Sequence, residues 1–281
     1  MTVDPAAVVA SIEGRAEVRR TPCGAGSMVW RIWGEGPPLA LLHGGYGSWT
    51  HWIRNVDPLA ERYRVLVPDL PGLGDSDLPP EPDQPEAIAE IVASGLRSLL
   101  TAGETVDIAG FSFGGLIGGL VAEQLAARAR SLVLVGSGGL GVRRSAPIEL
   151  VTWRELRDEA ARRTAHLENL AILMFADRAE IDDLAVYLQV RNATRARLRS
   201  RLLSKIPALP TAIPRMRARL HGLWGERDVT AQGVLEEIRR LLQSLQPGTC
   251  LTVIPRAGHW VQYEAADEFN DALVRLLQPS R

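Results

Sequence analysis

A serine with a glycine two residues to either side is the first feature of this sequence that could do chemistry. Ser112 lies in Gly110-Phe111-Ser112-Phe113-Gly114, between a predicted strand that ends at Ala109 and a predicted helix that follows. Where a chain turns sharply from strand to helix, these neighbours must lack bulk, and the turn exposes the serine hydroxyl. The helix N-terminus also favours negative charge that develops at the serine oxygen. The pattern predicts that Ser112 is a nucleophile.

The base that such a serine requires must come from the five histidines of the chain. Only His259 follows the last predicted strand, where it could return to the edge of the sheet that carries Ser112. His221 lies within a predicted strand, so we expect a structural role for it. His166 lies in a helical segment and is expected to be solvated, or to line a substrate pocket. We therefore predict that His259 is the general base.

A carboxylate that orients the histidine should follow a strand between the nucleophile and His259. The loop after the sixth predicted strand, Gly136-Ser137-Gly138, contains no carboxylate. The loop after the seventh, Trp224-Gly225-Glu226-Arg227-Asp228, contains two. We predict that Asp228 holds the imidazole tautomer and stabilises the imidazolium. Glu226 is the alternative.

A glycine-rich loop could supply the backbone N–H groups that bind an oxyanion. His43-Gly44-Gly45-Tyr46-Gly47 follows the third predicted strand, where its amides can point at a developing negative charge. We predict that the amide of Gly45, with Tyr46 as the alternative, acts together with that of Phe113. His43 is expected to anchor the loop. The spacing of these glycines does not match a dinucleotide-binding loop.

The elements that must position these groups alternate between strand and helix. Predicted strands cover residues 16–20, 28–33, 38–42, 64–68, 105–109, 131–135, 219–224 and 251–254, and predicted helices cover 85–100, 113–127, 233–245 and 265–277. This alternation is typical of a doubly wound parallel sheet. Residues 143–214 are helical in composition with no clear strand. We predict one α/β core, from residues 1–142 and 215–281, with a helical cap at 143–214 after the sixth strand.

Composition and charge limit the kinds of molecule that this protein is expected to bind. The chain has 281 residues, of which 46% are hydrophobic, and it has no apolar run of membrane-spanning length. The first residues lack the basic and apolar regions of a signal peptide, so we expect a cytoplasmic protein. A net charge of −1 argues against binding to nucleic acid or to an anionic membrane. The expected partner is a small-molecule substrate, and a homodimer is possible.

Cysteine usage gives no reason to expect a metal or a cofactor. Cys23 and Cys250 are far apart in sequence and belong to no CxxC or Cys/His cluster. We expect both to be reduced and structural, without a disulfide scaffold or a zinc site.

These motifs, in this order, resemble the α/β-hydrolase family over nearly the whole chain. The resemblance is carried by His43-Gly44-Gly45, Asp69-Leu70-Pro71-Gly72-Leu73-Gly74-Asp75-Ser76, the turn at Ser112, Trp224-Gly225-Glu226-Arg227-Asp228 and Gly258-His259. It implies the α/β-hydrolase fold, an eight-stranded, mostly parallel sheet flanked by helices under a helical cap. It also implies catalysis without a cofactor.

Within that family the chain looks most like the meta-cleavage-product hydrolases, which split carbon–carbon bonds in vinylogous diketones. The matching segments are Gly138-Gly139-Leu140-Gly141, His259-Trp260-Val261-Gln262-Tyr263-Glu264 and Asp267-Glu268-Phe269-Asn270. Arg191 falls where that group carries a cap arginine that meets the substrate carboxylate, although Arg195 and Arg197 lie nearby. The side chains or backbones expected to contact substrate are Gly44, Phe111, Arg191 and Trp260.

One residue departs from that group. Its members usually place asparagine before the nucleophile, where this chain has Phe111, and an aromatic ring cannot donate hydrogen bonds to a polar dienoate. An apolar ester suits such a pocket better. The leading hypothesis is therefore a carboxylic-ester hydrolase, with a carbon–carbon bond hydrolase as the alternative and a cofactor-free haloperoxidase left open. A non-catalytic binding module would lack a triad residue, and all three are present.

Overall fold

The eight strands found in the part of the chain that the structure describes form one sheet. The structure is a computed structural model that describes residues 4–142 and 147–278. The strands are β1 (Glu17–Cys23), β2 (Gly26–Trp33), β3 (Pro38–Leu42), β4 (Arg64–Pro68), β5 (Val106–Phe111), β6 (Ala129–Val135), β7 (Arg219–Gly225) and β8 (Cys250–Ile254). Their order is β1-β2-β4-β3-β5-β6-β7-β8. The first two pairings are antiparallel and the rest are parallel, which confirms the predicted sheet.

Helices cover both faces of this sheet. They are α1 (Pro5–Glu13), α2 (Val56–Ala60), α3 (Pro85–Leu99), α4 (Phe113–Leu125), α5 (Glu159–Leu173), α6 (Asp183–Arg195), α7 (Ser200–Leu203), α8 (Leu209–Ala212), α9 (Leu235–Leu245), α10 (Val261–Glu264) and α11 (Ala266–Leu277). Strand β3 shows how the core divides. Its Ala40 and Leu42 join the cluster that includes α3, α4 and α9, whereas Leu39 and Leu41 join the cluster that includes α11. Alternation of side chains across a strand places one cluster on each face.

The structure extends several predicted strands by a few residues and shortens the helix that follows Ser112. Strand β5 continues to Phe111, two residues beyond its predicted end, because Phe111 still pairs with Val135 of β6. Helix α4 ends at Leu125, where Ala126 has a φ of +50° and a short 3-10 turn begins.

No helix among the described residues is long and apolar enough to span a membrane.

Four helices, α5 to α8, lie between β6 and β7 in the chain, where a helical cap is predicted. We refer to residues 147–214 as the cap. The predicted boundary at residue 143 lies outside the described residues, so the exact division between core and cap stays a prediction.

A buried arginine on β2 connects the sheet to the loop that follows β4. Arg31 is 3% exposed, and its Nη1 donates to Asp69 Oδ2 at 3.0 Å while its Nε donates to Glu13 Oε1 at 2.7 Å. Its Nη2 also pairs with Asp75. Asp69 Oδ1 accepts the backbone N–H of Trp49 at 2.7 Å, so the same carboxylate also holds the segment after β3.

The same network explains a glycine in the motif and reaches the cap. A Cβ added at Gly74, which has a φ of +52°, would lie 2.3 Å from the carboxyl carbon of Asp69. Asp75 forms a second ion pair with Arg195 of α6. The Asp69–Ser76 motif therefore serves as a structural junction between sheet and cap, rather than as part of the chemistry.

We expect Arg31→Met to lower the free energy of unfolding by about 3 kcal/mol, because it leaves buried carboxylates without their counter-charge. Urea denaturation measures this loss. Arg97→Met is the matched control, since Arg97 pairs with Glu90 on the exposed side of α3. Its effect should stay below about 1 kcal/mol. Equal effects of the two substitutions would show that the buried network does not stabilise the fold.

Candidate active site

Ser112 occupies a strained turn between β5 and α4. Its φ of 53° and ψ of −112° lie outside the regions that L-residues ordinarily adopt. A Cβ added at Gly110 would lie 2.3 Å from the carbonyl oxygen of Gly114, and one added at Gly114 would lie 2.3 Å from that of Leu42. Helix α4 therefore approaches the sheet so closely that only glycine fits at these two positions. The half-buried Ser112 lines a cavity at its exposed side.

His259 and Asp228 form a buried pair beside this turn. They follow the adjacent strands β8 and β7, and His259 Nδ1 lies 2.9 Å from Asp228 Oδ2. Asp228 Oδ1 accepts the backbone N–H of Thr230 at 2.7 Å, which holds the carboxylate in place. A carboxylate at Nδ1 favours the tautomer that carries its proton there, so Nε2 is left free to accept one.

Glu226, the alternative acid in the sequence, lies elsewhere. It is exposed, and its carboxylate accepts the backbone N–H of Arg256 at 2.9 Å. Of the two carboxylates, only Asp228 has a hydrogen bond to His259 among the described residues.

His259 and Ser112 face the same cavity, and Phe111 lies beside both. Both line the cavity, and the ring centroids of His259 and Phe111 are 4.9 Å apart. The structure shows no hydrogen bond between Ser112 and His259 within residues 4–142 and 147–278. Such catalytic hydrogen bonds are often long without substrate and tighten when it binds.

Two backbone N–H groups of the loop after β3 already donate to side chains. The N–H of Gly44 donates to His51 Nδ1 at 3.2 Å, and the N–H of Tyr46 donates to Ser200 Oγ at 3.2 Å. Between them, the N–H of Gly45 has no acceptor among the described residues. The same holds for the N–H of Phe113, the first residue of α4. A Cβ added at Gly45 would lie 3.7 Å from that of Phe113, so the two free amides are neighbours.

This arrangement selects among the predicted oxyanion donors. Gly45 and Phe113 remain candidates, whereas Tyr46 already donates its N–H to a cap side chain. The prediction of Tyr46 as an alternative donor therefore disagrees with the structure.

Two buried histidines support this loop. His43 Nδ1 lies 2.8 Å from the carbonyl oxygen of Gly44, and its Nε2 accepts the N–H of Leu70 at 2.9 Å, in agreement with the expected anchoring role. His51 was not singled out from the sequence, because nothing near it resembles a motif. Burial lowers the pKa of both imidazoles, and that of His51 well below its ordinary value. Both therefore act as neutral hydrogen-bonding groups at neutral pH.

The cavity has a volume of about 1210 Å³ and lies between the carboxyl ends of the strands and the cap. Five of the predicted site residues line it: Gly45, Tyr46, Phe111, Ser112 and His259. Asp228 and Phe113 lie behind the lining, as expected of a carboxylate that supports a histidine and of a residue that offers only its backbone.

Two residues that we expected to contact substrate lie in the core. Trp260 is 1% exposed, stacks on Tyr263 with 4.3 Å between ring centroids, and donates its indole N–H to the carbonyl oxygen of His51 at 2.9 Å. Gly44 lies against Phe111, whose ring atom Cδ1 is 2.8 Å from the position of a Cβ added at Gly44. Both predictions of substrate contact disagree with the structure, because a layer of aromatic side chains separates these residues from the cavity.

Arg191 also lies outside the cavity lining. Helix α6 contributes Gln189 and Ala193 instead. These two are four residues apart and share one helix face, whereas a residue two positions after Gln189 points about 200° away from it. The expected contact of Arg191 with substrate therefore disagrees with the structure. The nearby arginines hold the cap to the core: Arg195 pairs with Asp75, and Arg197 donates to the carbonyl oxygen of Ser76.

A segment without regular secondary structure, residues 147–157, forms much of the cap side of the cavity, and we call it the strap. Asn169 of α5 holds it with two hydrogen bonds, accepting the N–H of Val151 at 2.7 Å and donating to its carbonyl oxygen at 2.9 Å. Arg201 donates to the carbonyl oxygen of Ile148 at 3.0 Å. No sequence motif marked these contacts, which depend on how the cap folds.

Within the described ranges, no three or more His, Cys, Asp or Glu side chains are grouped so that they could hold a metal ion.

Beneath the strap, His166 is buried, and neither of its ring nitrogens has a hydrogen-bond partner in the part of the chain that the structure describes. Trp153 of the strap covers it, with 4.6 Å between the ring centroids. Burial lowers the pKa of His166. The unfolded chain therefore binds a proton more readily than the folded chain near pH 6.5, so stability is lost as the pH falls below about 6.5.

We expect His166→Phe to weaken this pH dependence, because the substitution removes one buried group whose pKa is lowered in the folded chain. Urea denaturation at pH 8 and pH 5.5 measures the effect. The difference in unfolding free energy between the two pH values should be smaller in the variant than in the wild type. An unchanged difference would show that His166 does not contribute to acid sensitivity.

Comparison with known proteins agrees with this fold. A model described as the alpha/beta hydrolase family matches residues 39–272. The 2-hydroxy-6-oxo-6-phenylhexa-2,4-dienoate hydrolase of Burkholderia cepacia is 30% identical over 254 residues, which cover 84% of this chain and 86% of that protein. The 2-hydroxy-6-oxononadienedioate/2-hydroxy-6-oxononatrienedioate hydrolase of Comamonas testosteroni is 31% identical over 252 residues, with the coverage again 84% and 86%.

Solved structures show the same fold at lower sequence identity. A putative aryl esterase from Burkholderia cenocepacia superposes with a TM-score of 0.75 at 20% identity, covering 93% of this chain and 98% of that one. A meta-cleavage product hydrolase from Pseudomonas fluorescens IP01 gives a TM-score of 0.73 at 22% identity, covering 92% and 96%. From the family match and the two relatives of at least 30% identity, we conclude that this chain belongs to the alpha/beta hydrolase family.

Proposed function

We propose that this hydrolase cleaves carboxylic esters of small molecules through an acyl-enzyme, without a cofactor. Ser112 Oγ attacks the acyl carbon while His259 Nε2 takes the hydroxyl proton, and the carbonyl oxygen becomes an oxyanion. The amides of Gly45 and Phe113 stabilise that oxyanion. The leaving alcohol departs with the proton from His259. Water, activated by the same histidine, then releases the acid from Ser112.

Asp228 supports this sequence of steps. Its hydrogen bond of 2.9 Å to His259 Nδ1 orients the ring and stabilises the imidazolium that forms when Nε2 is protonated. Burial of both side chains keeps this interaction away from water.

The observation that carries the choice of an ester is the position of Phe111. Its buried ring lines the cavity beside Ser112, and its centroid lies 4.9 Å from that of the His259 ring, so an apolar surface adjoins the nucleophile. An aromatic ring offers no hydrogen bond to a dienolate, whereas it packs well against the acyl or alcohol part of a neutral ester. The absence of Arg191 from the lining removes a second polar contact that the meta-cleavage-product hydrolases would use.

Carbon–carbon bond hydrolysis is the second candidate, and the relatives favour it. Both relatives described above are named as hydrolases, one of 2-hydroxy-6-oxo-6-phenylhexa-2,4-dienoate and the other of 2-hydroxy-6-oxononadienedioate/2-hydroxy-6-oxononatrienedioate. The proposed nucleophile, base and acid serve either reaction, so the difference lies in what the cavity binds.

Variants of the proposed triad test the mechanism common to both candidates. We expect Ser112→Ala and His259→Ala each to lower kcat by about three orders of magnitude or more, and Asp228→Asn to lower it somewhat less. Glu226→Gln is the matched control and should keep wild-type activity, because its carboxylate is exposed and bonds to a backbone amide. An active Asp228→Asn with an inactive Glu226→Gln would reassign the acid.

A paired assay distinguishes the two reactions. We expect the wild type to give a higher kcat/KM with a short-chain p-nitrophenyl ester than with a ring-fission dienoate, because Phe111 lines the cavity. Ser112→Ala should abolish the ester turnover, which serves as the control for non-specific hydrolysis. A dienoate preferred by orders of magnitude would instead assign carbon–carbon bond hydrolysis.

A further inference from the structure

We propose that Ser200 of the cap is a positioning residue for the oxyanion site: it holds the Gly45–Tyr46 peptide so that the N–H of Gly45 faces the reacting carbonyl. This inference rests on the ester mechanism proposed above. Ser200 itself touches neither the substrate nor the nucleophile.

Contact between Ser200 and the loop after β3 is close, and the serine side of it is buried. Ser200 is 0% exposed, and its Oγ accepts the N–H of Tyr46 at 3.2 Å. A Cβ added at Gly45 would lie 2.7 Å from the same oxygen and 3.1 Å from Ser200 Cβ. The hydroxyl therefore lies directly against the Gly45–Tyr46 peptide, with no room for a side chain or a water molecule between them.

The order of the amides along the loop indicates which of them is available to an oxyanion. The N–H of Gly45 belongs to the peptide between Gly44 and Gly45, and each neighbouring peptide is held by a side chain. His51 Nδ1 accepts the N–H of Gly44 at 3.2 Å on one side, and Ser200 Oγ accepts that of Tyr46 on the other. The middle amide has no such partner among the described residues, so it is the one available to an oxyanion.

Such restraint matters because glycine adopts many backbone conformations, so Gly44 and Gly45 give the loop little stiffness of their own. The carbonyl oxygen of the Gly44–Gly45 peptide is held by His43 Nδ1 at 2.8 Å and by the N–H of Gly47 at 3.3 Å, and Ser200 holds the next peptide. Tyr46 has a φ of +53°, a conformation that a residue with a side chain rarely adopts without support from its surroundings. The hydrogen bond from Tyr46 to Ser200 supplies that support.

Two side chains, His51 and Ser200, accept the N–H groups on either side of Gly45, and Ser200 comes from the cap. His51 lies in the short 3-10 turn that follows the loop in the core. Ser200 begins α7, and backbone hydrogen bonds hold both flanks of this helix against the core. Arg197 N–H donates to the carbonyl oxygen of Gly72 at 2.9 Å, and Gly139 N–H donates to that of Ser204 at 2.9 Å. The oxyanion site is therefore complete only when this part of the cap is seated on the core.

Loss of the Ser200 hydroxyl should affect the transition state more than substrate binding. Removal leaves the partly buried N–H of Tyr46 without this acceptor, and the loss of its hydrogen bond favours rotation of the peptide toward another partner. The amide of Gly45 then moves from the position where negative charge develops. Complete loss of one oxyanion donor costs about 10²- to 10³-fold in kcat, so we expect misalignment in Ser200→Ala to cost about tenfold.

The test compares kcat and KM for a short-chain p-nitrophenyl ester in the wild type, Ser200→Ala and Ser200→Cys. We expect kcat to fall about tenfold in Ser200→Ala with KM nearly unchanged. In Ser200→Cys it should fall less, because the sulfur still accepts a hydrogen bond, although more weakly than the hydroxyl. Ser98→Ala is the matched control, since its hydroxyl donates within α3 to Gly95 at 2.7 Å, away from the cavity. It should behave as the wild type.

A second measurement reports on the oxyanion site itself. Ser112 adds to the carbonyl of an alkyl trifluoromethyl ketone, its proton passes to His259, and the ketone oxygen becomes an oxyanion in the same position as in the ester reaction. The inhibition constant should rise in the same order as kcat falls, from wild type to Ser200→Cys to Ser200→Ala. A purely structural role would not couple these two quantities.

Three outcomes would overturn the inference. These are wild-type kcat in Ser200→Ala, a rise in KM without a fall in kcat, and an inhibition constant that does not change with kcat. If Ser200→Ala does not unfold cooperatively, Ser200→Cys carries the test alone. Ester turnover that survives in Ser112→Ala would instead contradict the proposed function, so the two failures are distinguishable.

Discussion

The parallel register of the central strands is the constraint on which the active site depends. Pairing aligns Leu42 of β3 with Gly110 of β5, and Phe111 of β5 with Val135 of β6. Val135 in turn pairs with Leu223 of β7. Because these strands run in the same direction and end together, the loops that follow them meet at one edge of the sheet. The loops that carry Gly45, Ser112, Asp228 and His259 each follow a different strand at that edge.

Close approach of α4 to this edge adds a second constraint. Glycines at positions 110 and 114 allow the backbone of the helix to contact the backbone of β3 and β5. This brings the amide of Phe113 next to Gly45, although the two residues belong to different loops. The strained backbone of Ser112 is the local consequence of this approach, and packing of the buried helix against the sheet holds it in place.

The cap contacts several of the loops at the edge of the sheet where the proposed chemistry takes place. Ser200 meets the oxyanion loop, and Arg195 pairs with the loop that follows β4. The histidine loop is held by Glu264, whose carboxylate accepts the N–H of Gly258 at 2.6 Å and that of Ala176, in the cap, at 2.8 Å. The cap thus covers the cavity and also restrains the backbone of the groups beneath it. A substitution at the cap surface of the cavity can therefore alter kcat as well as substrate choice.

The sequence by itself determined the sheet, the order of its elements and the positions of Ser112, Asp228 and His259. Each of these depends on local signals, namely alternation of strand and helix, glycine at a sharp turn, and polar residues directly after a strand. What lines the cavity was decided by the tertiary structure. Whether Arg191 or its helical neighbours face substrate depends on the rotation of α6 against the core, and short-range patterns do not contain that angle.

The same limit applies to the support of the oxyanion loop. Tyr46 and Ser200 are separated by 154 positions in the chain, and their hydrogen bond exists only because α7 packs onto the core. Nothing in the sequence around a serine in a short helix indicates such a role. Local chemistry along the chain therefore predicts which groups can react, whereas long-range packing determines which of them are held in a reactive position.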